Sequence, residues 1–228
     1  MSPVRAPVRA RAHPVLSLIG NTPLIPLRFE PEGITLYAKA EFMNPSGSIK
    51  DRLALTILGD ARRRGWLRPG TTIHTGREIL AQMQSRVDAF VSGYGTGGTL
   101  NGVSRALRKA CPRVQIVAME PAEAAMLSGE SPCCHSIEGV AGGYLPPLLK
   151  AVSVDAQEKV PSAEALRMTQ RLARDFGLLV GTSSGANVIA ALRTAQRLRR
   201  GARVVTILCD RAERYYSTRL FAGVGGDA

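Results

Sequence analysis

Acidic side chains are scarce in this chain: 18 Asp and Glu stand against 30 Lys and Arg, a net charge of +12 over 228 residues. That imbalance raises a polyanion as a partner. Aromatic residues are scarce too, at 5%, and none interleave the basic runs Arg62-Arg63-Arg64 and Arg197-Leu198-Arg199-Arg200. A stacking platform for nucleic acid is therefore not signalled, and nucleic acid is not the expected partner. Both runs close helical patterns, where cations favour the dipole and stay solvated. An anionic small molecule explains part of the charge equally well. Cysteine is limited to Cys111, Cys133, Cys134 and Cys209, with no CxxC spacing, and Cys133-Cys134 before His135 reads as a loop with two thiols rather than a metal site. No metal is expected. No stretch approaches the roughly 18 apolar residues of a membrane span, and residues 1–9 carry charge without the apolar run of a signal peptide. The expectation is a cytoplasmic protein without membrane attachment, with residues 1–14 as a loose tail.

What is present is enough apolar sequence, 45%, for a buried core, and a set of short motifs. The chain is organised around Asn44-Pro45-Ser46-Gly47-Ser48-Ile49-Lys50-Asp51-Arg52. A turn and a flexible Ser-Gly-Ser bring one lysine to the start of a helix whose apolar stripe runs through Leu53, Ala54, Ile57, Leu58 and Ala61. A helix N-terminus disfavours the charged amine, and an amine kept partly neutral condenses with an aldehyde. The alternative is a solvated surface lysine.

Downstream, strand and helix patterns alternate. Ile34 to Lys39 reads as a strand, and Val87 to Ser92 as another that enters Gly93-Tyr94-Gly95-Thr96-Gly97-Gly98-Thr99 and then a helix. A strand, a glycine-rich turn and a helix N-terminus make either an anion cradle or an ordinary tight turn. Thr71-Thr72-Ile73 starts like a strand and breaks off, Arg77 to Gln84 is helical, and Val114 to Met119 is a strand. Ser162 can cap a helix ended by Gly177, Leu178-Leu179-Val180 reads as a strand, and an alanine-rich helix runs from the Gly181-Thr182-Ser183-Ser184-Gly185 turn to about Arg200. Val204 to Leu208 is a buried strand. Repeated βα units predict an α/β fold with a parallel sheet and helices on both faces.

With Gly20-Asn21-Thr22-Pro23-Leu24 upstream of the lysine motif, the sequence resembles the cysteine synthase (O-acetylserine sulfhydrylase) and cystathionine β-synthase family of fold-type-II pyridoxal-phosphate enzymes. The resemblance implies a three-layer αβα architecture like that of the tryptophan synthase β chain, with pyridoxal 5'-phosphate carried by Lys50 as a Schiff base. It implies that Gly95, Thr96, Gly97, Gly98 and Thr99 cradle the cofactor phosphate, and that Gly139, in Ser136 to Tyr144, lies beside the substrate. Ser183 would meet the pyridine nitrogen; capping the following helix is the other reading of that hydroxyl. The activity implied is replacement at the β-carbon of an amino acid, O-acetylserine plus sulfide giving cysteine and acetate, with Lys50 also as general base, in a homodimer. A catalytically silent protein kept for binding or dimerisation is the alternative.

The resemblance has a gap. The family's Thr-Ser-Gly-Asn-Thr loop, which grips the substrate carboxylate, and a later Gln-Phe pair are both lacking, and Thr75-Gly76 fits a later family segment better. On the order of 80 residues are missing by comparison with a two-domain member. The expectation is a pyridoxal-phosphate-binding large domain over 15–228, with the small domain largely lost at about residues 73–77.

Overall fold

The computed structural model describes residues 14–30, 32–64, 73–218 and 220–221. The expected tail, apart from Pro14, and the start of the expected Thr71 strand lie outside these residues. The first strand, β1 (Leu24–Phe29), pairs antiparallel with β2 (Ile34–Ala40). Pro26, which has no N–H to give, is tolerated there because β1 is an edge strand. The lysine motif follows and opens α1 (Lys50–Arg64). Beyond it come α2 (Ile73–Gln82), β3 (Ala89–Gly93), α3 (Gly98–Ala110), β4 (Gln115–Pro121), β5 (Ala156–Val160), α4 (Ser162–Phe176), α5 (Thr182–Arg197) and β6 (Val204–Leu208). The sheet order is β1-β2-β6-β3-β4-β5, and every pairing except β1 with β2 is parallel. This is the mostly parallel αβα arrangement expected.

Strand alternation builds two cores on the two faces of the sheet. Ala89, Val91, Val117, Met119, Val204 and Leu208 point to one face, under α4 and α5. Phe90, Ile116, Ala118, Val205 and Ile207 point to the other, under α2 and α3. Both helix layers close on glycine. A methyl group on Gly76 of α2 would lie 2.6 Å from the Ala106 side chain of α3, and one on Gly185 of α5 would lie 2.4 Å from the Ala165 carbonyl oxygen of α4.

Four expectations need correction. Ile73 opens a helix rather than ending a strand, because Thr75, Ile79 and Met83 recur at helical spacing and are all buried, Ile79 and Met83 in the core that α3 shares. Leu178 to Val180 is no strand. Gly177, left-handed at φ +66°, closes α4, and Gly181 already opens α5, which leaves room for a single bridge from Val180 to Arg211. Ser162 does not cap α4. Pro161 holds the cap position, Ser162 is the first helical residue, and its hydroxyl accepts the Ser136 N–H at 2.9 Å. The alanine-rich helix stops at Arg197. One strand, β5, went unread because Ala-Gln-Glu-Lys-Val, on the sheet edge, has little apolar run to betray it.

The described part of the stripe on α1, Leu53, Ala54 and Ile57, is not buried; the Leu58 and Ala61 side chains lie outside the described ones. Leu53 and Ile57 are 44% and 38% exposed, and no core of the described residues includes them. What ties α1 to the body is charge. The Arg52 guanidinium, 6% exposed, grips Glu41 through Nε and Nη2 at 2.7 and 2.8 Å, and Glu78 of α2 through Nη1 and Nη2 at 2.7 and 2.8 Å. Lys39, fully buried on β2, lies 2.7 Å from Glu78. Burial opposes ionisation of Glu78, but the hydrogen bonds from Arg52 and Lys39 outweigh it and hold its pKa at about 2.

Candidate active site

The lysine motif folds against the segment that follows β6. Asn44 anchors its start by donating to the Glu41 carbonyl and carboxylate at 2.7 and 2.8 Å and by accepting the Gly20 N–H at 2.9 Å. The Gly47 N–H closes a turn on the Asn44 carbonyl at 2.7 Å. Gly47 has φ +75°, and a Cβ there would strike the Arg211 side chain at 2.8 Å, so both its backbone and its surroundings call for glycine. Ile49 then donates to the Cys209 carbonyl at 2.8 Å, and Arg211 donates to that of Gly47 at 3.0 Å. Lys50 thus begins α1 immediately above the carboxyl end of β6. Asp51 steadies the turn by accepting the Ser46 N–H at 2.8 Å.

The glycine-rich turn after β3 lies alongside. Gly97, at φ +78°, is the N-cap of α3 and makes no side-chain cap bond, while the Thr96 hydroxyl accepts the Gly98 N–H at 3.4 Å. Arg108 and Lys109 sit at the far end of the helix, so its positive end points at the turn. A Cβ on Gly95 would come within 2.9 Å of the Gly139 carbonyl oxygen, so the turn and the Gly139 loop approach to backbone distance. That loop is held by Ala141, at φ +43°, whose N–H donates to the Tyr94 carbonyl at 2.9 Å. The Lys50 Nζ reaches to 3.9 Å from where a Gly139 Cβ would stand.

These pieces enclose one cavity of about 460 Å³, lined by Lys50, Gly95, Thr96, Gly98, Thr99, Gly139 and Ser183 among others. Gly97 belongs to the same turn without lining the cavity. Ser183 is 3% exposed in the first turn of α5. It does not cap that helix, since Gly181 is the N-cap and makes no side-chain bond. Its hydroxyl acts on Cys209, lowering that thiol's pKa.

Three lining residues were not singled out by sequence. Glu138 accepts a short hydrogen bond from the Thr182 hydroxyl. Cys209 is a half-buried thiol whose pKa desolvation and the Asp210 charge push up to about 12, against the lowering effect of Ser183. Asp210 is 4% exposed, accepts the Tyr215 hydroxyl at 2.7 Å through Oδ2, and has no partner for Oδ1. Burial raises its pKa, opposed by Tyr215 and Lys50. The one available signal was position, since Cys209-Asp210 ends the last strand, where ligands of parallel sheets gather. Elsewhere, Cys133 and Cys134 are exposed, and among the described residues no group of three His, Cys, Asp or Glu side chains could hold a metal. No helix of the described residues is long and apolar enough to cross a membrane.

The profile of the family described as pyridoxal-phosphate dependent enzyme matches residues 15–76 and 70–210. A cysteine synthase of Staphylococcus aureus is 29% identical over 299 aligned residues, covering 91% of this chain and 96% of its own. An O-ureido-L-serine synthase of Streptomyces lavendulae is 31% identical over 300, covering 92% and 93%. The crystal structure of an O-acetylserine dependent cystathionine beta-synthase from Helicobacter pylori superposes with a TM-score of 0.85 at 25% identity, covering 91% of this chain and 98% of the other. The alignment to the cysteine synthase is 299 residues long and this chain has 228, so at least 71 aligned positions meet no residue here. The chain is shortened internally.

Proposed function

We propose, from the premise that this chain belongs to the pyridoxal-phosphate dependent enzyme family, that Lys50 carries the cofactor and that the protein performs β-replacement on an O-acylated serine. The observation that carries this reading is the convergence of Lys50, the Gly95 to Thr99 turn and Ser183 on one cavity. The residues fit the group. An amine opens onto the cavity, a helix N-terminus and a turn without side chains at Gly95 and Gly97 suit a phosphate, and a buried hydroxyl at Ser183 suits a pyridine nitrogen. The unpartnered Oδ1 of Asp210 marks further polar capacity on the same wall.

When bound, pyridoxal phosphate supplies an electron sink at the substrate α-carbon. The protein groups do the rest. Ser183, a neutral partner, adds no charge at the ring nitrogen, which favours loss of the β-substituent over transamination. The Lys50 amine, which would hold the cofactor, would also be placed to take the α-proton as general base, beside the Gly139 loop. O-acetylserine is the dependence named for the Helicobacter pylori relative and cysteine the product named for the Staphylococcus aureus one, and these support O-acetylserine with sulfide as the substrate pair proposed here.

The lost stretch we assign to the small domain, between the two segments matched by the family profile. Without its carboxylate-gripping loop, substrate orientation suffers more than cofactor capture. The exposed Leu53 and Ile57 favour a second reading, a cofactor-binding protein with little turnover.

The deciding experiment is the visible spectrum of the purified protein with pyridoxal phosphate, before and after borohydride, beside Lys50→Ala. An absorption band present in the parent and lost in the variant supports the assignment, and cysteine formed from O-acetylserine and sulfide then separates turnover from silent binding. A well-folded parent without the band overturns the enzyme reading.

A further inference from the structure

The Lys50 cavity takes up the carboxyl ends of β3 and β6, through Ser92, Gly93, Cys209 and Asp210. The opposite ends of the same strands hold a second cleft, of about 480 Å³, that the chemistry above does not use. It lies where Asp88 precedes β3, Val114 precedes β4 and Arg203 precedes β6. Arg86, Arg113, Arg199 and Arg203 line it, with Asp88 as the single carboxylate.

Asp88 does not neutralise the cleft. One of its oxygens meets Arg199 at 3.1 Å, a surface pair with Arg199 75% exposed, and the other accepts the Arg203 backbone N–H at 2.8 Å. Arg203 is steadied from a different side, by its Nη1 donating to the Met83 carbonyl at 3.2 Å. The Arg86 backbone N–H donates to the Met83 carbonyl at 3.1 Å, but the guanidinium groups of Arg86 and Arg113 have no hydrogen-bond or ion-pair partner among the described residues. The wall beneath them is fixed: the Cys111 thiol donates to the Ser85 carbonyl at 3.1 Å, and Asp88 and Arg203 also pair through their backbones at 2.9 Å. Four guanidinium groups around one small hollow, two of them without partners, make a concave site of net positive charge. Planar guanidinium forks match the oxygens of phosphate and sulfate groups. No aromatic residue lines the cleft, so it offers nothing on which a base could stack.

We propose that this cleft binds a small, multiply charged oxyanion of the phosphoryl or sulfuryl class, at a site separate from the cofactor phosphate cradle. β3 is five residues long, and at ~3.3 Å per residue the two sites stand roughly 17 Å apart. Occupancy of one therefore does not require contact with the other.

The test is calorimetric titration of the protein already saturated with pyridoxal phosphate, so that the cofactor cradle is filled, with pyrophosphate and with sulfate in separate runs. Arg86→Gln/Arg113→Gln is the comparison variant; both side chains are exposed and unpartnered, so the fold is retained. The expected result is binding of at least one oxyanion, weakened about ten-fold or more in the variant (~1.4 kcal/mol per decade), with the cofactor band unchanged. Tighter binding of pyrophosphate than of sulfate assigns a phosphoryl ligand, and the reverse a sulfuryl one. Absence of binding, equal binding by parent and variant, or a single-stranded oligonucleotide that binds more tightly than either anion would overturn the proposal.

Discussion

Replacing Arg52 by Met removes one of the two cations from a cluster in which Glu41 and Lys39 are fully buried. Glu78 keeps Lys39 at 2.7 Å, but Glu41 loses both of its short guanidinium bonds. A buried carboxylate stripped of its partner costs about 3–5 kcal/mol, against a total stability of about 5–15 kcal/mol. We expect a large fall in the urea midpoint, read by far-UV circular dichroism. The companion variant, Arg52→Met/Glu78→Met, leaves Lys39 and Glu41, one charge of each sign. It should be less destabilised than the sum of the two single variants, by about 0.5–3 kcal/mol of coupling. An Arg52→Met midpoint within ~0.5 kcal/mol of the parent, or strict additivity in the cycle, would show that the cluster does not hold α1 to α2 as described.

The same cluster sets an acid limit. The Glu78 pKa is depressed from 4.5 to about 2 in the fold, so its contribution is complete above pH 4.5 and is lost as pH falls toward 2, by about 3 kcal/mol; Glu78→Gln should flatten the stability profile in that window. Gly95→Ala should lower cofactor affinity about ten-fold or more (~1.4 kcal/mol per decade) in a spectral titration, because its Cβ meets the Gly139 carbonyl at 2.9 Å; unchanged affinity would mean that the two loops separate freely. Thiol titration of the native protein with a disulfide reagent at mildly alkaline pH should find Cys133 and Cys134 fast and Cys209, with its pKa near 12, slow, all reacting once unfolded; a fast Cys209 would contradict its raised pKa.

What could be read from sequence was what is local along the chain. The lysine motif, the Gly95 to Thr99 turn and the Ser183 turn are each contiguous, each joins two elements, and each ends at a helix start; the structure brings all three to one cavity. The Arg52 to Glu78 contact joins residues 26 apart across a shortened stretch, and Asp210 meets the lysine motif through the Ser48 bridge, 162 residues away in sequence. Neither pairing leaves a periodic trace. Leu178 to Val180 misled because an apolar triplet between two glycines looks like a strand until both glycines are spent on helix ends. Leu53 and Ile57 on α1 are exposed, because an apolar stripe is buried only when something remains to cover it.

The sheet order has a consequence for how the protein is made. β6, the last strand among the described residues, lies between β2 and β3 and pairs with both. A nascent chain therefore carries two partial sheets with bare inner edges, β1-β2 and β3-β4-β5, until Val204 to Leu208 emerges. At about 5–20 residues per second, β2 waits roughly 10–30 s for its partner, an interval in which an open edge invites pairing with other chains. The lysine motif waits with it, because Ile49 and Gly47 dock on Cys209 and Arg211 just past that strand. A chain stopped short of Val204 would hold the whole lysine motif, the glycine turn and Ser183, yet have nothing to bring them together.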